Sequence, residues 1–339
     1  MYTAFFGLSH SPFSLTADPN FLLFTPQHRE VLAGLTFAIA ARKGLVLLTG
    51  EAGTGKTTLL RKVLQTLPAK TVQSSVILNP SLTADELLEM ALCDFAVADI
   101  PASKAQRILR LNQLLLRGAS EGKTSVLIID EAHKLDPAVL EEVRLLSNFE
   151  RNDEKLLQIV LAGQTELDDL LKRSELRQLK QRIALRLRTH RLAVAEVELY
   201  VRHRWKRAGG AELPFEPNAL TCVASWSQGI PRLINAICDN ALLLAFSEGK
   251  NTLTASHIRE ACSDLDLLDS PAASRPDTNG NGSQDGSVAV TEMVQPRPKA
   301  EMAVAGTALV RSLERYNGHP RKESLVARWV GRLFAQRAN

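Results

Sequence analysis

A chain of 339 residues has room for about two domains. Its 45% hydrophobic and 23% charged content excludes a wholly disordered, collagen-like or disulfide-scaffold protein. The 41 Lys and Arg against 37 Asp and Glu leave a formal charge of +4, too small to name a nucleic-acid partner by itself.

Cys93, Cys222, Cys238 and Cys262 form no Cys-x-x-Cys pair, so neither a zinc knuckle nor a thioredoxin-like motif is present and the thiols are expected to be reduced and mostly buried. The opening Met1-Tyr2-Thr3-Ala4-Phe5-Phe6 lacks the basic start and apolar run of a signal peptide. No stretch approaches the ~20 apolar residues that span a bilayer. The expected location is therefore the cytoplasm.

Helical apolar spacing begins at Glu30–Ala41, and the short apolar run Gly44–Thr49 reads as a buried strand. The alternation continues with a helix at Thr58–Leu67, a strand at Ser75–Leu78, helices at Ala84–Asp94 and Lys104–Ala119, a strand at Ser125–Ile129, a helix at Pro137–Phe149 and a strand at Leu156–Ala162. Apolar strands separated by helices imply an α/β fold, a parallel sheet covered on both faces. From Ala195 onward only helices are predicted: Ala195–Arg207, Pro217–Ser225, Pro231–Ser247 and Ala255–Ser263. The stretch Ser270–Pro298, centred on Asn279-Gly280-Asn281-Gly282-Ser283, is too polar to offset the entropy of ordering and reads as a linker. The expected division is 1–194 for the α/β domain with its opening segment, 195–268 for a helical lid, 269–299 for the linker and 300–339 for a basic tail.

Gly50-Glu51-Ala52-Gly53-Thr54-Gly55-Lys56-Thr57 satisfies the Gly-x4-Gly-Lys-Thr pattern directly between a buried strand and the helix that opens at Thr58. In that context backbone N–H groups turn toward phosphate and the helix N-terminus adds partial positive charge. Lys56 is expected to reach the β and γ phosphates and Thr57 to ligate Mg2+. The apolar run Val126–Ile129 ends in Asp130-Glu131, placing carboxylates at the strand edge where ligands of such sheets collect. Asp130 is the expected second metal ligand, and Glu131 the general base for the attacking water.

Gln164, after the strand ending at Ala162, is either a partner of the γ-phosphate or catalytic water, or an ordinary polar strand end. Arg232 in Gly229-Ile230-Pro231-Arg232 opens a helix from which its guanidinium reaches back over the nucleotide. Between Lys172 and Arg207 lie twelve basic residues and three acidic ones. One or two are candidates for arginine fingers acting across a subunit interface, Arg182 first and Arg177 second. A solvated basic face and a DNA- or RNA-binding patch are the other readings of the segment.

These motifs together resemble the AAA+ ATPases. More narrowly, Tyr2-x-x-Phe5-Phe6-Gly7-Leu8, Pro12-Phe13-Ser14-Leu15-Thr16, Asp18-Pro19 and His28-x-Glu30 are similar to the opening of the ExeA-type ATPases of the general secretion pathway. The phosphate loop, Ala162-Gly163-Gln164-x-Glu166-Leu167, Leu176-Arg177-Gln178-Leu179-x-Gln181-Arg182-Ile183 and Gly229-Ile230-Pro231-Arg232-Leu233-Ile234-Asn235 continue the match.

The resemblance spans residues 1–265. It implies an AAA+ P-loop NTPase of three αβα layers with a small all-helical lid, binding ATP and Mg2+. Such a protein works as a homo-oligomer in the assembly of secretins, type IV pili of the MSHA kind or exopolysaccharide export. By residue match Lys56 and Thr57 carry nucleotide and metal, Asp130 and Glu131 hydrolysis, Gln164 a first sensor, Arg182 a finger and Arg232 a second sensor, with the opening segment against the adenine. Similar ATPases serve transposition and bind DNA, which is the alternative reading. Larger relatives continue through a membrane span into a cell-wall-binding domain, whereas this chain is expected to end in its basic tail.

In that tail Leu325, Val326, Trp329, Val330, Leu333 and Phe334 form an amphipathic stripe flanked by Arg328 and Arg332. Within 321–337 it is matched equally to the anionic inner-membrane surface, to a groove on a partner and to the chain's own ATPase domain.

Overall fold

The computed structural model describes residues 1–78, 81–151 and 154–267; the expected linker and amphipathic tail lie outside the described residues. Five parallel strands, β1 (Leu45–Thr49), β2 (Val72–Ile77), β3 (Thr124–Ile129), β4 (Leu157–Gly163) and β5 (Ile183–Arg188), form one sheet in the order β2-β3-β4-β1-β5. Every residue of β1, β3 and β4 is buried, which is why these strands read as unbroken apolar runs.

Side chains alternate between the two faces of the sheet. Leu45, Leu47, Leu127, Ile129, Ile159 and Leu161 pack with α3 (Ala84–Asp94), α4 (Lys104–Ser120) and α5 (Pro137–Leu146). Val46, Leu48, Val126, Ile128 and Val160 pack with α1 (Pro26–Ala40) and α2 (Lys56–Thr66). Local sequence starts these helices: Thr25 and Pro26 open α1, a reciprocal Thr83–Glu86 capping box opens α3 and Pro137 opens α5.

β5 is not among the strands that the sequence predicts. Its residues Ile183-Ala184-Leu185-Arg186-Leu187-Arg188 alternate partly buried or buried with exposed, the pattern of a strand with one solvated face. It has a single neighbour, β1, and its arginines had placed it within a basic stretch rather than a sheet.

The helical region consists of α6 (Val194–Arg207), α7 (Pro217–Ser227), α8 (Pro231–Ser247) and α9 (Ala255–Asp264). Tyr2, Leu8 and Phe13 join its core beside Trp205, Ile234 and Leu242. The opening segment, grouped with the sheet on sequence, is thus seated mainly on the helices, while Leu22 belongs to the sheet's second core. Apolar residues without periodicity mark burial but not the core they enter. Two thiols, Cys238 and Cys262, are buried, Cys93 is exposed and Cys222 is intermediate; all four are free. Among the described residues no helix is long and apolar enough to cross a membrane.

Candidate nucleotide site

Parallel register gathers the candidate residues at one edge. Thr49 of β1 lies beside Gly163 of β4 and Arg188 of β5, and Ile129 of β3 lies beside Leu161 of β4. Gly50, Asp130, Gln164 and Thr189 therefore leave the sheet side by side. At this edge a cavity of about 370 Å³ is walled by the phosphate loop, Glu131, Gln164, the opening segment, and residues of α6 and α8.

Ala52, Gly53, Thr54, Gly55, Lys56, Thr57 and Thr58 all line it, as do Glu131, Gln164 and Arg232. Gly50, Glu51 and Asp130 stand behind this wall, and Arg177 and Arg182 are exposed and do not line it.

The loop is held from inside. The Thr54 hydroxyl donates to the Glu51 carbonyl at 2.7 Å and lies 2.7 Å from Thr189 Oγ1. A Cβ at Gly50 would fall 2.0 Å from that same Thr189 oxygen, so no other residue fits there without displacing the strand end. Outside the loop, the Glu51 carboxylate receives Arg191 Nε at 3.0 and 2.8 Å, while Arg191 Nη1 donates to Gln228 Oε1 at 2.6 Å. The Arg191 hydrogen bond holds the Glu51 carboxyl below its usual range. The Glu51 side chain therefore ties the loop to the helical region through Arg191.

Lys56 Nζ donates to the carbonyls of Gly50 and Glu51 at 2.8 and 2.9 Å. Burial pushes its pKa down, against the pull of Glu131 and Asp130. The Thr57 hydroxyl donates to Asp130 Oδ2 at 2.5 Å, and the other Asp130 oxygen accepts the Glu131 N–H at 2.9 Å. Asp130 is 2% exposed. A buried carboxylate and a hydroxyl in contact make a hard-oxygen pair, a donor set that fits a magnesium ion.

Glu131 adopts the left-handed conformation, φ +55°, which costs a non-glycine residue about 1–2 kcal/mol. The surrounding structure holds it so that its carboxylate stands 3.7 Å from His133 Nε2 and 3.4 Å from Lys134 Nζ. His133 was not singled out from the sequence. Its Nδ1 accepts the Gln164 N–H at 3.3 Å, so one imidazole links the end of β4 to the carboxylate after β3.

The far wall was also invisible to motif reading. Arg204, counted in sequence among the basic residues, is 7% exposed. It donates to the carbonyls of Pro12 at 2.5 Å and Ser14 at 3.3 Å and to the Tyr200 hydroxyl at 2.9 Å, with Phe21 stacked 5.1 Å away. Tyr200 in turn donates to Asn235 Oδ1 at 3.0 Å, and burial raises the Tyr200 pKa. The rest of the basic segment is dispersed over helix, strand and connections. Lys172, Arg188, Arg191 and Arg202 each meet a carboxylate.

A five-stranded parallel sheet of this order, a phosphate loop at its carboxyl edge and a helical region closing over that loop define an AAA+ P-loop protein; residues 39–171 match the AAA domain family. The chain resembles the ExeA type within that class. It is 46% identical over 262 residues to general secretion pathway protein A of Aeromonas hydrophila, covering 76% of this chain and 47% of that protein, so it spans about half the length of the curated relative it matches. In fold it is similar to the ORC2 protein of Aeropyrum pernix (TM-score 0.60, 17% identity, 76% of this chain and 72% of that one). Cdc6p of Pyrobaculum aerophilum gives TM-score 0.62 at 18% identity, over 75% of this chain and 70% of that one. At such identities the likeness concerns the fold alone.

Proposed function

We propose that this chain binds and hydrolyses ATP and, as a homo-oligomer, uses the resulting change of shape to assist assembly or regulation of an envelope secretion, pilus or polysaccharide-export system. The observation that carries the enzymatic part is the Thr57–Asp130 hydrogen bond at 2.5 Å beside a cavity onto which both Lys56 and Glu131 open. The name of the 46% identical relative supports the process.

In this reading the loop N–H groups and the Lys56 ammonium neutralise phosphate oxygens. Thr57 and Asp130 would hold magnesium, which when bound supplies further charge neutralisation on the phosphates. Glu131 takes the proton of the attacking water, and Gln164 orients that water or the γ-phosphate. Arg232 senses the nucleotide from α8. Arg182, exposed and off its own chain's cavity, acts on the site of a neighbouring copy.

The test is ATP turnover with magnesium across a range of protein concentrations, with Lys56→Ala and Glu131→Gln beside the parent. Specific activity that rises with concentration and vanishes in both variants is the expected result. A parent without turnover at any concentration, or an active Glu131→Gln, overturns the enzymatic reading; turnover independent of concentration overturns the oligomeric part.

A further inference from the structure

The end of the cavity away from the phosphate loop is built by the opening segment, α1 and α6, and a buried histidine there has a ring nitrogen unspent. His28 sits in the first turn of α1, its N–H donated to the Thr25 hydroxyl at 3.2 Å. Its ring is 3% exposed and forms part of the cavity wall near Ala17, Asp18 and Leu22.

Nδ1 lies 2.8 Å from the Leu23 carbonyl. A carbonyl only accepts, so the hydrogen sits on Nδ1, and a neutral ring then presents Nε2 as a bare acceptor. Burial lowers the pKa of this histidine, with the Leu23 carbonyl and Glu196 opposing more weakly, which keeps the ring neutral near pH 7. Among the described residues nothing donates to Nε2. Other polar groups of this wall are engaged: Tyr200 with Asn235 and Arg204, Asn235 with Ser14, and one oxygen of the half-buried Asp18 carboxylate with the Asn20 N–H.

We infer that His28 reads the purine, its Nε2 accepting a hydrogen bond from the 6-amino group of adenine and opposing the 6-oxo group of guanine. The inference rests on the nucleotide-binding reading above and adds the base to it. Two acceptors set face to face repel, and a site built to receive a donor rejects an analogue that lacks one. The phosphate loop grips every triphosphate alike, so discrimination between bases falls to the far end of the cavity.

The experiment is calorimetric titration of the full chain, in magnesium, with ATP, GTP, inosine triphosphate and purine riboside triphosphate. The parent is expected to bind ATP about tenfold or more tighter than the other three, about 1.4 kcal/mol. His28→Phe is expected to bring all four within about twofold while still binding triphosphate. Equal affinity of the parent for ATP and purine riboside triphosphate overturns the inference without any variant, so a His28→Phe chain that fails to fold does not rescue it. A preference for ATP that survives in a folded His28→Phe chain also overturns it. If no triphosphate binds and Lys56→Ala matches the parent, the nucleotide reading itself falls, and this inference with it.

Discussion

The Arg232 backbone N–H donates to the Gly53 carbonyl at 3.3 Å, so the first turn of α8 rests directly on the phosphate loop. The contact is possible because Gly53 has φ +78° and no side chain; a Cβ there would stand 2.8 Å from Arg232 Cβ and 3.0 Å from Ile230 Cγ2. Gly53→Ala combines a strained backbone, about 1–2 kcal/mol, with displacement of α8. The expected outcome is a lower melting temperature and at least tenfold weaker ATP binding. Unchanged affinity by titration would show that α8 does not need this seat.

Arg204 joins three segments distant in sequence: the opening segment through the Pro12 and Ser14 carbonyls, its own helix α6, and, through Tyr200, Asn235 of α8. Arg204→Met keeps the bulk of the stem but leaves the buried Pro12 carbonyl unpaired, at about 1–3 kcal/mol, while the Ser14 carbonyl keeps the Asn235 amide at 3.5 Å. The chain is expected to unfold at lower denaturant concentration and to be cut by protease within residues 8–20 before it is cut elsewhere. A variant with the parent's denaturation midpoint and cleavage pattern would mean that the opening segment is held by its apolar contacts alone.

Much of this arrangement was written in contiguous residues. The glycine-rich loop and Asp130-Glu131 are legible because each is a run of neighbours in sequence, and β1, β3 and β4 because burial on both faces leaves unbroken apolar runs. β5 escaped because an edge strand alternates Ile183, Leu185 and Leu187 with Ala184, Arg186 and Arg188, and the arginines dominate a charge count. Arg204 escaped for the converse reason, since only its partners at Pro12 and Ser14 distinguish a buried anchor from a surface cation. The hydrogen bonds of His28 and His133 depend on which ring nitrogen faces a carbonyl or an N–H, a relation no single-chain pattern carries.

Acid is expected to destabilise the protein through two histidines. Burial lowers the pKa of His28, against the Leu23 carbonyl and Glu196, and also that of His203, which is further lowered by Arg207 and Arg204. Folded pKa values below the ordinary 6.5 mean that the unfolded chain binds more protons as pH falls through that value. The associated stability is thus fully present above about pH 6.5 and declines below it. Urea denaturation midpoints at pH 7.5 and pH 5.5 measure the decline, and a His28→Gln, His203→Gln double variant is expected to lessen it. An identical decline in that variant would assign the acid sensitivity to other groups.

Arg182 closes a short helix, Arg177–Arg182, with its side chain exposed and outside its own chain's cavity. If it serves the site of a neighbouring copy, two chains that are each inactive should rescue one another. Arg182→Ala retains a complete phosphate loop but offers no finger, and Lys56→Ala offers a finger but has a disabled loop. Each alone is expected to lose turnover, the arginine change by about 10³-fold or more. Mixed in equal amounts they should recover up to about a quarter of the parent rate at a shared interface, because a quarter of random pairings unite an intact loop with an intact arginine. Full activity of Arg182→Ala alone would mark this guanidinium as part of a solvated basic face. Loss of activity without rescue, in a mixture where exchange of subunits is verified by light scattering and fluorescence transfer, would place its role within a single chain.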